Sequence, residues 1–357
     1  DNGKVTFSVV GLGGRASAYL NALQECFPED YQVVAVAEPD EAKRATAKKQ
    51  YGLSDAQLFL DDLSFMQQPR LSDVVIIGTQ DALHYRETMA FLEKGYDIIL
   101  EKPISVNPKE LMEIYSCAKK RPNQLVAVCH VLRHTALFNR VREVIASGEF
   151  GRVVSVQHNE NVGYYHFAHS YVRGQWNNDA TSGPIIMTKS CHDMDILLFL
   201  LGDKRAERVA SFGELSIFNP QNFDPKRMTE FCVDCSLQQT CPYSAVRLYN
   251  SNKIKSVMFD MTSSERIRES LSDTPYGRCV YASKNNVADH QSTILQFQDG
   301  ITATFNLSAF TGKVNRTLKV MCEFGEIRAS EKPYIVETTS FFTDKVTEYP
   351  LDIRERG

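Results

Sequence analysis

The first 130 residues alternate short apolar runs with longer segments of helical spacing. The apolar runs consist of nearly continuous Val, Ile and Ala, which is typical of parallel strands that are buried on both faces. The predicted strands are Val5–Val10, Gln32–Ala37, Asp73–Gly78, Ile98–Leu100 and Leu125–Val131, and the predicted helices are Ser17–Cys26, Glu41–Tyr51, Leu83–Lys94 and Pro108–Lys120. This pattern predicts a parallel sheet covered by helices on both sides.

After about residue 150 the pattern changes to alternation of apolar and polar residues. Such alternation indicates antiparallel strands with one solvated face. The alternating segments are Gly151–Gly163, Ser292–Leu307, Thr317–Ala329 and Tyr334–Tyr349. Asp299-Gly300 interrupts one of them and is a strong β-hairpin signal, and the apolar helix Met194–Leu201 lies between others. We therefore predict an α/β chain of two domains, residues 1–130 and 131–357, with the boundary free of any Gly/Ser linker.

Composition and charge exclude several classes of protein. The chain has 357 residues, 40 Lys plus Arg and 44 Asp plus Glu, and its net charge of −4 argues against general binding to nucleic acids or anionic membranes. Its longest apolar runs, such as Ile196–Leu201, are far shorter than the roughly 20 residues of a membrane span. Nine cysteines, an odd number, without a secretion signal predict a reduced, cytoplasmic protein.

A glycine-rich turn follows the first predicted strand. Gly11-Leu12-Gly13-Gly14-Arg15-Ala16 fits the G-x-G-x-x-A dinucleotide fingerprint, in which the glycines permit a tight turn and a close approach to a pyrophosphate. Glu38 ends the second predicted strand, where a carboxylate bonds the adenosine ribose and repels a 2′-phosphate. We therefore predict a bound dinucleotide, NAD rather than NADP.

Two further motifs point to proton chemistry. Glu101-Lys102-Pro103 follows a predicted parallel strand at the sheet edge where ligands bind in α/β folds. His192 opens the apolar helix beside carboxylates, a setting in which a histidine can exchange protons near neutral pH. Taken alone, each of these motifs is also compatible with an ordinary surface turn or a helix cap.

Taken together and in this order, the motifs resemble the glucose–fructose oxidoreductase / inositol dehydrogenase / MocA-like (Gfo/Idh/MocA) family. The resemblance also includes Thr79-Gln80-Asp81 with His84, and His192-Asp193-Met194-Asp195. It implies an N-terminal Rossmann domain and a C-terminal α+β domain with a large open, mostly antiparallel sheet. It also implies oxidation or reduction of a secondary hydroxyl or carbonyl group on a sugar or cyclitol, and assembly into a homodimer or homotetramer through that sheet.

The resemblance also assigns residues to roles. It makes Lys102 and His192 the catalytic pair, places Thr79, His84, Glu101 and Trp176 at the cofactor, and places Arg133 and Asp193 at the substrate. The sequence departs from the family where Thr188 stands in place of a common aspartate, followed by Lys189. We expect Lys189 to share the catalytic task. Asn177 after Trp176 and the short Ser182-Gly183-Pro184 stretch also depart from the family and put an inositol-like substrate in doubt.

A cysteine-rich segment at about residues 226–279 predicts a metal site. Cys232-x2-Cys235-x5-Cys241 has the spacing of a zinc knuckle, and Cys279 is the candidate fourth ligand of a structural zinc ion. An iron–sulfur cluster would use the same ligand type but a different spacing, and three ordinary thiols in a loop are the plain alternative.

An aromatic segment, residues 164–174, carries the candidate sugar-binding side chains Tyr165, His166 and His169. Ring faces suit stacking on a sugar and the polar groups suit its hydroxyls, although such a segment can equally be interior packing.

Three functions remain open from the sequence. The leading one is an NAD-dependent oxidoreductase that acts on a sugar-like small molecule. The second is a glycosidase that oxidises, eliminates, hydrates and reduces without net turnover of NAD. The third is a nucleotide-binding or partner-binding protein without catalysis.

Overall fold

The computed structural model describes residues 3–202, 204–251, 253–254 and 259–352. The chain forms two compact units, Asp1–His130 and Val131–Gly357. The predicted cysteine-rich segment 226–279 is described except for residues 252 and 255–258, which lie outside these ranges together with residue 203 and the two chain ends.

The first unit is a parallel α/β layer structure. Its strands are β1 (Val5–Val10), β2 (Tyr31–Ala37), β3 (Leu58–Phe59), β4 (Val74–Ile77), β5 (Asp97–Leu100) and β6 (Val126–Val128). Its helices are α1 (Gly14–Cys26), α2 (Glu41–Tyr51), α3 (Asp62–Met66), α4 (His84–Glu93) and α5 (Pro108–Lys119). All strand pairs are parallel, in the order β3-β2-β1-β4-β5-β6. This is the Rossmann order, which reverses between β1 and β4.

The apolar runs of the first half form the interior of this unit. Val10, Val75 and Ile77 are buried on one side of the sheet, and Val9, Val36 and Ile76 on the other. The predicted parallel sheet and its covering helices are therefore confirmed. The short elements β3 and α3 were not predicted, because two and five residues are too few to show a hydrophobic period.

The second unit has a larger sheet. Its strands are β7 (Val153–Asn161), β8 (Ala206–Glu214), β9 (His290–Phe297), β10 (Thr302–Ser308), β11 (Asn315–Cys322), β12 (Gly325–Glu331), β13 (Tyr334–Ser340) and β14 (Val346–Pro350). Its helices are α6 (Ala136–Ser147), α7 (Tyr164–Phe167), α8 (Asp179–Ser182), α9 (Ile185–Thr188), α10 (Cys191–Leu200), α11 (Ala245–Tyr249) and α12 (Ser264–Asp273). The strand order is β14-β13-β12-β11-β7-β10-β9-β8, and β7–β10 is its parallel pair. The predicted open, mostly antiparallel sheet is confirmed.

The predicted hairpin joins β9 to β10 in antiparallel register. Asp299 and Gly300 both have positive φ, 64° and 77°. Two successive positive φ values match the right-handed twist of the flanking strands, and glycine and aspartate adopt them at low cost.

One face of this sheet packs on α6 and α10. Phe138 and Val141 of α6 and Ile196 and Leu197 of α10 share a core with the inward residues of β7, β9, β10, β11, β12 and β13. The opposite face remains open, and Phe212 and Ile294 on it are 75% and 56% exposed. The sequence pattern missed β8, because its residues are mostly exposed and its apolar positions show no alternation of burial.

In the part of the chain that the structure describes, no helix is both long and apolar enough to cross a membrane.

Candidate functional site

The glycine turn after β1 is shaped for close backbone approach. Gly11 has φ of 81°, and a Cβ there would lie 2.8 Å from backbone atoms of Gly78, at the end of β4. A side chain at Gly11 would therefore force the β1 and β4 ends apart. The turn leads into α1, whose N-cap residue Gly13 supplies no side-chain hydrogen bond to the free amides of the first turn. Those amides are consequently available to an anion.

Glu38, at the end of β2, is fixed beside this turn. Its Oε2 accepts a 2.7 Å hydrogen bond from the backbone N–H of Leu12, and its Oε1 accepts one of 3.1 Å from Asp40 N–H. The side chain is 5% exposed, with the Lys43 ammonium 3.9 Å from Oε1. The hydrogen bond from Leu12 thus holds the Glu38 carboxylate against the glycine turn.

Thr79 and His84 follow β4, on the same edge of the sheet. Thr79 Oγ1 donates a 2.5 Å hydrogen bond to Glu87 of α4, and burial raises the pKa of Glu87 to about 8. The fully buried His84 ring bonds the Pro103 carbonyl through Nδ1 at 2.7 Å, while its Nε2 has no hydrogen-bond partner among the described residues.

Glu101 and Lys102 follow β5. One oxygen of Glu101 accepts a hydrogen bond from Tyr19 and lies 3.6 Å from Arg15 Nε, and the other accepts a 3.1 Å bond from Lys102 N–H. Glu101 is 7% exposed, so its charge is held in place by α1 and by the turn itself. The Lys102–Pro103 peptide is cis.

These features fit a dinucleotide at the carboxyl edge of the parallel sheet. A glycine cradle, an uncapped helix N-terminus, a fixed carboxylate and an unpaired buried imidazole nitrogen all lie on the loops after β1, β2 and β4. The first unit contains the predicted catalytic lysine and, apart from Trp176, all residues predicted for the cofactor: Gly11, Gly13, Gly14, Arg15, Glu38, Thr79, His84, Glu101 and Lys102.

His192 lies in the first turn of α10, in the second unit, and is partly buried. Its neighbour Asp193 is fully buried, where Oδ1 meets His158 Nε2 and Arg316 Nε, each at 2.8 Å. Burial alone would raise the pKa of Asp193, but the Arg316 guanidinium and the imidazole of His158 hold it well below its usual range. Asp193, which we predicted to contact the substrate, therefore takes part in an ion pair inside the protein.

Lys189 lies between α9 and α10, and its side chain is 15% exposed. Its ammonium is 3.4 Å from Oε1 of the fully buried Glu160, whose Oε2 is 2.5 Å from Arg316 Nη2. Thr188 is also fully buried, and its hydroxyl lies 3.5 Å from the Pro184 carbonyl. Of Thr188 and Lys189, only Lys189 thus reaches the surface of the unit.

Arg133 is fixed by a two-pronged ion pair, since its Nε and Nη2 each lie 2.7 Å from an oxygen of Asp195 on α10. Its guanidinium also lies over the Phe199 ring, 5.3 Å from the centroid. Arg133 is therefore held rigidly beside the helix that carries His192.

The aromatic segment after β7 divides between two environments. The His169 ring stacks on Tyr276 at 5.2 Å, and its Nδ1 lies 2.8 Å from the Tyr249 hydroxyl, so it packs against the cysteine-rich segment. His166 lies near Lys189, and burial lowers its pKa to about 3. Tyr165 and Trp176 are partly buried at the edge of an apolar cluster, where Trp176 stacks on Tyr171. The segment thus places His166, but not His169, beside Lys189.

No metal-binding arrangement is found in the described part of the cysteine-rich segment. Among the residues that the structure describes, no group of three or more His, Cys, Asp or Glu side chains is arranged to hold one. The Cys232 thiol faces the Arg278 carbonyl and the Cys235 thiol faces the Arg227 carbonyl, each at 3.8 Å. The zinc site predicted from Cys232, Cys235, Cys241 and Cys279 is therefore not supported by the structure, in which all four are free thiols.

Burial and the buried guanidinium of Arg173 define the surroundings of these thiols. Burial raises the pKa of Cys279 to about 11 and that of Cys241 above its ordinary value. The guanidinium of Arg173, 3% exposed, lies 3.7 Å from the Cys232 sulfur and also donates to the carbonyls of Arg278 and Tyr243. Hydrogen bonds from Arg173 thus hold this segment against the residues that follow β7.

Sequence reasoning missed several polar residues that shape these sites, namely Tyr19, Glu87, His158, Glu160 and Arg316. A signal was available for two of them. His158 and Glu160 share the inward phase of the alternating strand β7 with Val156, and all three are buried. Ionisable residues on the buried phase of a strand indicate an internal ion-pair partner.

Comparison with known proteins identifies relatives of both units. The Gfo/Idh/MocA model described as an oxidoreductase family NAD-binding Rossmann fold matches residues 5–130. The model of the C-terminal α/β domain of the same oxidoreductase family matches residues 142–324.

Individual relatives show low sequence identity to this chain. YteT of Bacillus subtilis (strain 168), which carries only the general name oxidoreductase, is 29% identical over 241 residues, 65% of this chain and 55% of YteT. The 1,5-anhydro-D-fructose reductase of Ensifer adhaerens is 27% identical over 139 residues, 39% of this chain and 40% of that protein. The chain thus spans about half the length of these curated relatives.

A solved structure extends the comparison to the fold. The levoglucosan dehydrogenase complex with NADH and L-sorbose superposes with a TM-score of 0.68 at 16% identity, over 98% of this chain and 79% of that one. At this identity the likeness concerns the fold.

Proposed function

Because the chain belongs to the Gfo/Idh/MocA family of oxidoreductases, we propose that it transfers hydride between NAD and a secondary alcohol or carbonyl of a sugar-like molecule. The observation that carries the proposal is the arrangement after β5. There, Tyr19 and the Lys102 backbone hold Glu101, and Lys102 follows at the ligand-binding edge of the sheet.

The chain's own residues supply binding and proton transfer in this proposal. The amides of the first turn of α1 hold the pyrophosphate, and Glu38 accepts from the adenosine ribose hydroxyls. NAD, when bound, accepts or donates the hydride. Lys102 takes the proton of the reacting hydroxyl, and His192 hydrogen-bonds the same oxygen and passes the proton outward.

The substrate side belongs to the second unit. We assign Arg133, Lys189, His166 and Tyr165 to substrate contact, and Trp176 to the nicotinamide side. Asp193 and His169 become structural in this assignment, because Asp193 Oδ1 and His169 Nδ1 are engaged inside the protein. The open sheet face with Phe212 and Ile294 is the surface that we assign to assembly of identical subunits.

The test is direct identification of the cofactor and of a reaction. Purified protein is denatured, any released nucleotide is identified by mass spectrometry, and the protein is then incubated with NAD and a panel of sugars, anhydrosugars and cyclitols. Net formation of NADH with at least one compound supports the proposal.

Two other outcomes would overturn it. Cleavage of glycosides without net NADH would establish the redox-neutral glycosidase instead. Tight binding of NAD with neither reaction, for any compound in the panel or for glycosides, would indicate a nucleotide-binding protein without catalysis.

A further inference from the structure

A carboxylate inside the second unit is shared by two cations. Glu160 is 0% exposed and lies near the end of β7, directly opposite Arg316 in the antiparallel β7–β11 pair. One carboxylate oxygen lies 2.5 Å from Arg316 Nη2, and the other faces Lys189 Nζ at 3.4 Å. A buried carboxylate requires such compensation, and Arg316 alone already supplies it for one oxygen.

Lys189 has more hydrogen-bonding capacity than the protein uses. Its ammonium carries three donors, and within the described ranges its one carboxylate neighbour is Glu160, at a distance longer than a good hydrogen bond. The side chain is nevertheless only 15% exposed. A cation that is largely removed from water, with donors to spare, is suited to an acceptor oxygen on a bound molecule.

Two further groups close to this pair bring no negative charge to Lys189. The nearby His166 imidazole has its pKa lowered to about 3 by burial, with further lowering from Lys189, so it stays neutral. Arg316 is held by Asp193, Glu160 and Glu331 and carries no acceptor. Lys189 also precedes His192 by three residues, at the start of α10.

From this arrangement we propose that Glu160 is a positioning residue. It holds the Lys189 ammonium in place to donate to a hydroxyl or carbonyl oxygen of the bound sugar-like substrate. The inference rests on the proposed function for the identity of the substrate, but the position of Lys189 can be measured without it. Glu160 does not touch the substrate itself, because no part of its side chain is exposed.

Glu331 provides a matched control. It is the other glutamate on Arg316, with Oε1 3.5 Å from Nη1 and Oε2 accepting a 2.8 Å bond from the Arg316 backbone N–H. It makes no contact with Lys189. Glu331→Gln therefore removes one negative charge from beside Arg316, as Glu160→Gln does, but it leaves the contact between Glu160 and Lys189 intact.

The kinetic experiment compares Glu160→Gln, Lys189→Met, the double variant and Glu331→Gln on the sugar with the highest NADH formation. We expect Glu160→Gln and Lys189→Met each to raise KM at least about tenfold, with NADH affinity unchanged. The double variant should lose no more than the worse single variant, because both changes remove one interaction. Glu331→Gln should stay within about threefold of wild type.

Two kinetic results would overturn the inference. One is a Glu160→Gln variant with the KM of Glu331→Gln. The other is full additivity of Glu160→Gln and Lys189→Met, which would give Glu160 a purely structural role. If Glu160→Gln does not fold, Glu160→Asp keeps the charge for Arg316 but withdraws it from Lys189, and we expect the same rise in KM at near-wild-type melting temperature.

A second measurement needs no substrate. Acetylation of Lys189 by an N-hydroxysuccinimide ester, followed by mass spectrometry, reports how freely the ammonium reaches solvent. Labelling should be several-fold faster in Glu160→Gln than in wild type or Glu331→Gln. Equal labelling in all three would overturn the inference, whereas failure to find NADH formation with any sugar would overturn only the proposed function.

Discussion

The backbone N–H of Leu12 donates a 2.7 Å hydrogen bond to Oε2 of Glu38. This bond joins the glycine turn after β1 to the end of β2, the two segments that meet a dinucleotide in a Rossmann fold. It keeps a nearly buried carboxylate at the place where a 2′-phosphate of NADP would lie. Glu38 therefore shapes the turn, and we expect it to exclude a second negative charge as well.

Cofactor preference should change when that carboxylate is removed. We expect wild type to bind NAD at least about tenfold more tightly than NADP, and Glu38→Ala to lose most of this difference. Lys43, 3.9 Å from Glu38, would then be left to pair with the 2′-phosphate. Titration calorimetry with both cofactors measures the ratio, and Glu41→Gln, an exposed change on α2, is the control. Tighter binding of NADP by wild type would refute the role of Glu38.

Turnover should depend on Lys102. Lys102→Met should lower kcat by about 10²–10⁴ and change NAD affinity by only a few-fold, because the side chain acts on the proton and the cofactor is held elsewhere. Lys109→Met, at an exposed position of α5, should behave as wild type. Steady-state kinetics measures kcat, and calorimetry measures NAD affinity, for wild type and both variants. Near-normal turnover of Lys102→Met would rule out the proposed proton transfer.

The free energy of unfolding should decrease as the pH rises, because of Glu87. Its pKa in the folded protein, about 8, lies above its ordinary value of 4.5, so folding favours the protonated form. The contribution is fully present below about pH 4.5 and is lost as the pH rises toward 8. Relative to Glu87→Gln, which stays neutral, wild type should lose up to about 1.4 kcal/mol of unfolding free energy per pH unit over this range.

Urea denaturation followed by circular dichroism at several pH values measures this difference. Glu93→Gln, an exposed change on the same helix α4, should parallel wild type. A constant difference between Glu87→Gln and wild type from pH 5 to 8 would contradict the assignment.

Two carboxylates of α10, Asp193 and Asp195, should differ sharply in their effect on stability. Asp193→Asn leaves Arg316 and His158 buried with one anion fewer and should cost about 3–5 kcal/mol. Asp195→Asn removes the anion from the more exposed Arg133 and should cost only about 1 kcal/mol. Denaturant unfolding of both variants tests this order, and equal losses would show that Asp193 is not an interior ion-pair partner.

Arg173 should anchor the cysteine-rich segment. It donates to the Arg278 and Tyr243 carbonyls from a buried position, so Arg173→Met should lose about 1.5–3 kcal/mol for each charged hydrogen bond. Limited proteolysis should cut residues 226–279 faster in this variant. Arg247→Met, which removes longer bonds from an exposed side chain, is the comparison. Unchanged cleavage in Arg173→Met would show that the anchor lies elsewhere.

Short segments of the sequence were enough to predict the parallel sheet of the first unit and the residues along the carboxyl edge of that sheet. Continuous apolar runs require strands that are covered on both faces, and glycine at positive φ beside Gly78 is needed wherever two strand ends approach so closely. The fingerprint, Glu38 and Glu101-Lys102-Pro103 therefore predicted both the sheet and the residues along its edge. The Asp299-Gly300 hairpin followed from backbone conformation alone.

Tertiary structure decided which polar groups pair inside the second unit. Cys-x2-Cys spacing brings two sulfurs close along the chain, but their orientation depends on Arg173 and on carbonyls up to 46 residues away. Likewise, Asp193 and Lys189 are both near His192 in sequence but differ in their surroundings. Arg316, 123 residues away, pairs with Asp193 inside the protein. Glu160 holds Lys189 at the surface of the unit. The sequence determined local geometry, and long-range ion pairs, which no local spacing encodes, determined which polar residues lie inside the second unit.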